Sequence, residues 1–179
     1  MNNSSSAFSF LVGTLLDLYI TAVMLRLLLQ WVRADFYNPV CQFLVKVTNP
    51  LLLPLRRVIP AIGRLDTAAV VLMLALEFVG VWIVSRIASA PLSLPGIVAF
   101  SVTKLLVTLL VTYFFLIIVN VILSWVAGGA RHPVIPLVYQ LTEPVLRPFR
   151  RFIPPIAGID LSPVFALIAI RFLLLLLGW

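Results

Sequence analysis

Four long apolar stretches alternate along this chain with two polar stretches punctuated by proline. The apolar stretches cover residues 8–32, 68–90, 105–126 and 162–179, and a helix needs about 20 residues to cross a bilayer. The last is short at 18 residues. The third extends back toward Gly96, with Lys104 near the water interface. The pattern predicts an all-α membrane protein with four transmembrane helices. The N-terminal MNNSSSAFSF lacks the basic region of a secretory signal, so the first stretch reads as a retained span.

The polar stretches repeat one another. Residues 31–66 and 125–160 align without a gap, with 14 of 36 positions identical, among them Thr48/Thr142, Pro50/Pro144, Arg56/Arg150, Arg57/Arg151 and Asp66/Asp160. An internal repeat sets the architecture. Repeat 1 is residues 1–94, with loop 33–67 between its spans, and repeat 2 is residues 95–179, with loop 127–161. Two spans per copy make the copies parallel, related by an axis along the membrane normal.

Within each loop, Asn38-Pro39 and His132-Pro133 are helix start signals, the asparagine a stronger cap than the histidine. Apolar residues then fall at Val40, Phe43, Leu44 and Val47, and at Val134, Leu137, Val138 and Leu141, the stripe of an amphipathic helix. The run T-x-P-x-L-x-P-x-R-R-x-I-P follows in copy one, and T-x-P-x-L-x-P-x-R-R-x-I-P again in copy two. It predicts a second short helix ended by Pro60 or Pro154. Each loop is thus expected to be an amphipathic helical hairpin in the headgroup region.

Charge gives the pattern an orientation. Nine of the thirteen Lys and Arg lie in the two loops. The positive-inside rule makes those loops cytoplasmic and places both termini outside, with Trp31 and Trp125 at the inner interface. The chain is 63% hydrophobic and 11% charged, against about 45–50% and 25% for a soluble domain. Its formal charge of +7 therefore points to anionic lipid rather than nucleic acid. Arg56, Arg57, Arg150 and Arg151 are the candidates for lipid headgroups or an acidic partner, since guanidinium forks match phosphate geometry. Their bland reading is topology anchoring, with Asp66 and Asp160 pairing locally or capping the next span.

Asp17, Arg26, Glu77, Arg86 and Arg171 fall inside the spans, where each costs about 2.5–3.5 kcal/mol on insertion scales. Glu77 and Arg171 occupy equivalent repeat positions with opposite charge, at a depth of roughly 15 Å. An ion pair between them is expected, with Arg26 the alternative partner for Glu77. Asp17 lies within reach of Arg86 or Lys104. Such pairing is either structural or a polar track for an ion.

One cysteine and one histidine leave no internal disulfide and almost no metal-ligand set. Phosphate-loop, dinucleotide, zinc-protease and serine-hydrolase motifs are all missing from the sequence. No cofactor and no enzymatic activity are expected.

The stretches DFYNPVCQFLVKVTNPLLLPLRRVIPAIG and LTEPVLRPFRRFIPPIAGIDLSP resemble the YggT (YlmG-like) family of integral membrane proteins, over nearly the whole chain. The two-copy form is similar to the bacterial inner-membrane version. Copy two departs at Gly129 and His132, where copy one has Asp35 and Asn38. The resemblance implies links to osmotic-shock tolerance and potassium uptake, to division or nucleoid organisation, and to cytochrome-complex assembly in plastids. It supplies no catalytic residues. The expected function is a non-enzymatic scaffold or assembly factor in the inner membrane, with lipid, an unidentified protein or further copies of the chain as partners. The alternative is a small channel or accessory for ion uptake.

Overall fold

The computed structural model describes residues 3–63, 65–88, 90–126, 132–153 and 160–179. These form six α-helices: α1 (Asn3–Trp31), α2 (Pro39–Val58), α3 (Thr67–Ile87), α4 (Leu94–Val126), α5 (Val134–Phe152) and α6 (Ser162–Leu176). Their contacts divide the chain into two compact units. Unit 1 comprises Met1–Leu27 and Phe43–Thr108, and unit 2 comprises Leu28–Gln42 and Leu109–Trp179. The units cut across the sequence repeats, because the first half of α4 belongs to unit 1 and the second half to unit 2.

Among the described residues, three helices are long and apolar enough to cross a membrane: Ser6–Trp31, Thr67–Ile87 and Leu94–Val126. The fourth expected span, α6, has 15 residues and rises about 22 Å, short of a hydrocarbon core of about 30 Å. The third span does extend back past residue 105: α4 begins at Leu94, two residues before Gly96, and Pro95 falls in its first turn, where the missing N–H costs nothing.

Each loop carries one helix, not the expected hairpin. α2 continues through Pro50 and Pro54, and α5 through Pro144 and Pro148. An interior proline removes one backbone hydrogen bond and costs about 3 kcal/mol. Two features offset this. The buried stripe runs on past the first proline of each helix, with Cys41, Leu44, Thr48 and Leu52 in α2 and Leu137, Leu141, Thr142 and Leu146 in α5. The prolines lie on the opposite, exposed face, so the carbonyls they leave unpaired, such as those of Lys46 and Gln140, sit where water or headgroups can reach them.

Helix ends follow local rules. Asn38 Oδ1 accepts the Val40 N–H at 2.9 Å, as the cap signal predicts, and the His132 equivalent to Val134 is longer at 3.4 Å. α1 closes with Ala34 N–H on the Leu29 carbonyl and Arg33 N–H on that of Gln30. This Schellman pair puts Arg33 in the left-handed region at φ 57°, a place glycine usually fills. Asp66 caps α3 by accepting the Ala69 N–H at 3.3 Å.

Candidate functional site

Unit 1 gathers three ionisable side chains inside its membrane-spanning helices. Glu77 on α3 and Lys104 on α4 each lie about 15 Å from the end of the helix nearest the α3–α4 turn, and Asp17 lies about 21 Å along α1, at 1.5 Å per residue. Lys104 Nζ donates to Asp17 Oδ1 at 2.5 Å and contacts Glu77 Oε2 at 3.0 Å. The second contact is ionic without hydrogen-bond alignment, and both Glu77 oxygens lack a hydrogen-bond partner. The Glu77 side chain is fully buried, that of Lys104 is 18% exposed and that of Asp17 44%. Two carboxyl groups thus face one ammonium.

A cavity of about 550 Å³ lies above this cluster, toward the α3–α4 turn. Phe10, Leu16, Val81, Val84 and Phe100 give it apolar walls, Ser9, Thr14 and Ser85 add hydroxyls, and Asp17 and Lys104 form its charged floor. Gly80 brings α3 close to α1 here: a Cβ on it would meet Leu16 Cδ1 at 3.0 Å.

The sequence paired Glu77 with Arg171 or Arg26, and the structure gives all three other partners. Glu77 takes Lys104. Arg171, exposed on α6, donates to the Trp179 carbonyl at 3.3 Å. Arg26, buried on α1, donates from Nη1 to Thr48 Oγ1 at 2.6 Å and to Asn49 Oδ1 at 2.9 Å. Of the two partners within reach of Asp17, Lys104 is the one used, and Arg86 lies 5.8 Å from the centre of the Trp82 ring. The sequence set Lys104 near the water interface, whereas a helix beginning at Leu94 carries it three turns in.

The four loop arginines separate into two kinds. Arg56 is hydrogen-bonded to Asp66 through Nε and Nη2. Arg150 is bonded to Asp160 at 2.8 Å and to Glu143 at 2.5 Å. In each copy the first arginine thus fastens the proline helix to the start of the next helix. Burial alone would raise the Asp160 carboxyl, but the Ser162 N–H and the Arg150 guanidinium hold it below its ordinary value. Arg57 and Arg151 are exposed and carry no hydrogen bond or ion pair among the described residues. A surface groove on α2 runs past Lys46, Pro50, Leu53 and Arg57.

Unit 2 repeats the latch that Arg26 makes. Asn120 Nδ2 donates to Thr142 Oγ1, and these residues stand 94 after Arg26 and Thr48. Both threonines also donate back to the carbonyl four residues earlier, at 2.7 Å to Leu44 and 2.9 Å to Val138. The spacing of 94 makes Arg26 and Asn120 equivalent, and the Thr48/Thr142 identity could have flagged their acceptors. In the same unit Asn38 Nδ2 donates to the Pro133 carbonyl at 2.7 Å, tying the start of α2 to that of α5.

The Cys41 thiol is buried, and burial, with Asp35 nearby, pushes its pKa up, so it stays protonated and unreactive. Among the described residues, no three His, Cys, Asp or Glu side chains could together hold a metal ion. Gly129, Arg64, Arg131 and Pro154 lie outside the described residues.

The CCB3/YggT family model matches residues 5–87 and again residues 99–179. The chain is 40% identical over 159 residues to the uncharacterized protein YggT of Escherichia coli K12, covering 89% of this chain and 82% of the relative. It is 42% identical over 180 residues to an uncharacterized protein in the proC 3' region of Vibrio alginolyticus, covering 97% and 94%. A YlmG homolog, the chloroplastic protein 2 of Arabidopsis thaliana, is 35% identical over 80 residues, covering 44% of this chain and 32% of its own. No solved structure matches. The chain belongs to the CCB3/YggT family.

Proposed function

We propose that this protein is a non-enzymatic scaffold of the bacterial inner membrane whose two proline helices, α2 and α5, rest on anionic lipid at the cytoplasmic surface. In this reading α6 completes a fourth crossing, helped by local thinning of the bilayer around its short apolar length. Both termini then face outward, and the two halves run parallel. The observation that carries the proposal is the division within each arginine pair. Arg56 and Arg150 are held by Asp66 and Asp160, which fixes the helix, while Arg57 and Arg151 remain exposed. Basic residues at such a surface contribute roughly 1 kcal/mol each.

The test is thermal unfolding of the full chain in nanodiscs of phosphatidylcholine with and without phosphatidylglycerol. Anionic lipid is expected to stabilise the wild type, and Arg57→Gln with Arg151→Gln to abolish that gain while leaving stability in neutral lipid unchanged. Stabilisation that survives the double change would sink the lipid-surface role.

The Asp17–Lys104–Glu77 cluster supports a second reading, a small channel or uptake accessory in osmotic adaptation. Potassium flux into proteoliposomes that is lost in Glu77→Leu supports it, and an absence of flux from the folded wild type removes it.

A further inference from the structure

We infer that the cavity of unit 1 is a binding site for small organic cations of the alkylammonium class, held by Asp17. Its volume of about 550 Å³ is that of a small-molecule pocket, and apolar walls with a few convergent polar groups are the usual composition. Asp17 and Lys104 are the charged residues in its lining, and Asp17 is the more accessible, at 44% against 18%.

The sharing of Lys104 selects the sign of the ligand. Lys104 is shared unequally, giving its hydrogen bond to Asp17 and only an unaligned contact to Glu77, whose two buried oxygens have no hydrogen-bond partner. A carboxylate in that state is costly. A cation entering the cavity and pairing with Asp17 releases Lys104 to bond Glu77. Two balanced pairs then replace one overcommitted ammonium, so the site is built to exchange its resident cation for a visiting one. The walls select the class. A metal ion would have to replace its water shell with oxygen ligands, which apolar walls do not supply. An alkylammonium brings an apolar body that they do cover, and Phe10 and Phe100 add rings of the kind that attract organic cations.

This site is independent of the lipid-facing helices, and its test uses none of their residues. Radiolabelled tetrapropylammonium is equilibrated with the full-length protein in neutral-lipid nanodiscs, with sodium and potassium chloride as competing arms. One saturable site per chain is expected. Asp17→Asn should weaken it about tenfold or more, as for loss of a desolvated charge partner. Gly13→Leu should do the same by filling the space with the charges intact, because a Cβ at Gly13 meets nothing within 4 Å. Folded wild type without saturable binding, or Gly13→Leu binding as well as wild type, overturns the site. Displacement by sodium or potassium at matching concentration overturns the ligand class.

Discussion

In copy one, Arg26 bonds Thr48 and Arg56 bonds Asp66; in copy two, Asn120 bonds Thr142 and Arg150 bonds Asp160. These contacts lie where each proline helix meets its neighbours, and both copies build them alike. Inside the membrane the copies part. Asp17 corresponds to Val111 and Glu77 to Arg171, while Lys104 of copy two corresponds to Phe10 of copy one. The cluster therefore draws two residues from one copy and one from the other, and it exists once. The lesson is that duplication preserved the surface fastening, and the buried charge arose where the two copies interleave in unit 1.

Lys104 gives the sharpest way to break this comparison. Lys104→Met leaves Asp17 and the buried Glu77 with no cation, and unpairing a buried charge costs about 3–5 kcal/mol. Thermal unfolding in micelles should register that loss. Arg171→Leu, removing an exposed side chain bonded to one carbonyl, should cost well under 1 kcal/mol. Reversing Glu77 and Arg171 together should do no better than Glu77→Arg alone. Recovery in that double variant would restore the ion pair the sequence suggested.

The arginine locks come next. Asp66 keeps only 6% of its side chain exposed, whereas Asp160 keeps 39%. Arg56→Gln should thus lower stability by about 1.5–3 kcal/mol, the range for hydrogen bonds to charged groups. Arg150→Gln, at an exposed pair, should lower it by about 1 kcal/mol or less. Equal losses would mean that exposure does not separate the two copies.

Thr48→Val and Thr142→Val sharpen the same contrast at the latches. The first removes an acceptor from a buried guanidinium that retains Asn49, and should cost about 1.5–2 kcal/mol; the second removes a neutral bond, costing about 1 kcal/mol. A larger loss at Thr142 would reverse the ranking.

The smallest effect is on pH. Because folding holds the Asp160 carboxyl below its ordinary value, its contribution is present above the unfolded pKa and fades as pH falls through the depressed folded one. Hydrogen exchange at the Ser162 amide, which Asp160 accepts at 2.9 Å, should accelerate only in that acid range. Acceleration near neutrality would assign the protection to another group.

Much of this fold was legible because the signals are local. The cap at Asn38 and the apolar stripe of α5 depend on neighbours a few residues away, and so do the ends of α1 and α3 to within a few residues; in α2 the expected Phe43 is exposed, and Cys41 and Thr48 join Leu44 on the buried face instead. The pairing of Asp66 was legible as the plainer of two readings. The hairpins were misread because proline is a local stop signal, and what overrides it is burial of Leu52 and Leu146 beyond Pro50 and Pro144, which no window of sequence contains. The partner of Glu77 was misread for a related reason: repeat symmetry suggested Arg171, and symmetry carries no information where the copies diverge.

The sequence by itself determined that this chain is helical and membrane-borne, and that it is duplicated with its basic residues gathered in two loops. Those properties are sums over composition and short-range periodicity. Tertiary structure decided which arginine of each pair is bound and which is exposed, whether a helix outlasts its prolines, and which cation meets both Asp17 and the buried Glu77. Each of those turns on groups brought together from different helices, and in the low-dielectric interior of a membrane protein such meetings are worth several kcal/mol.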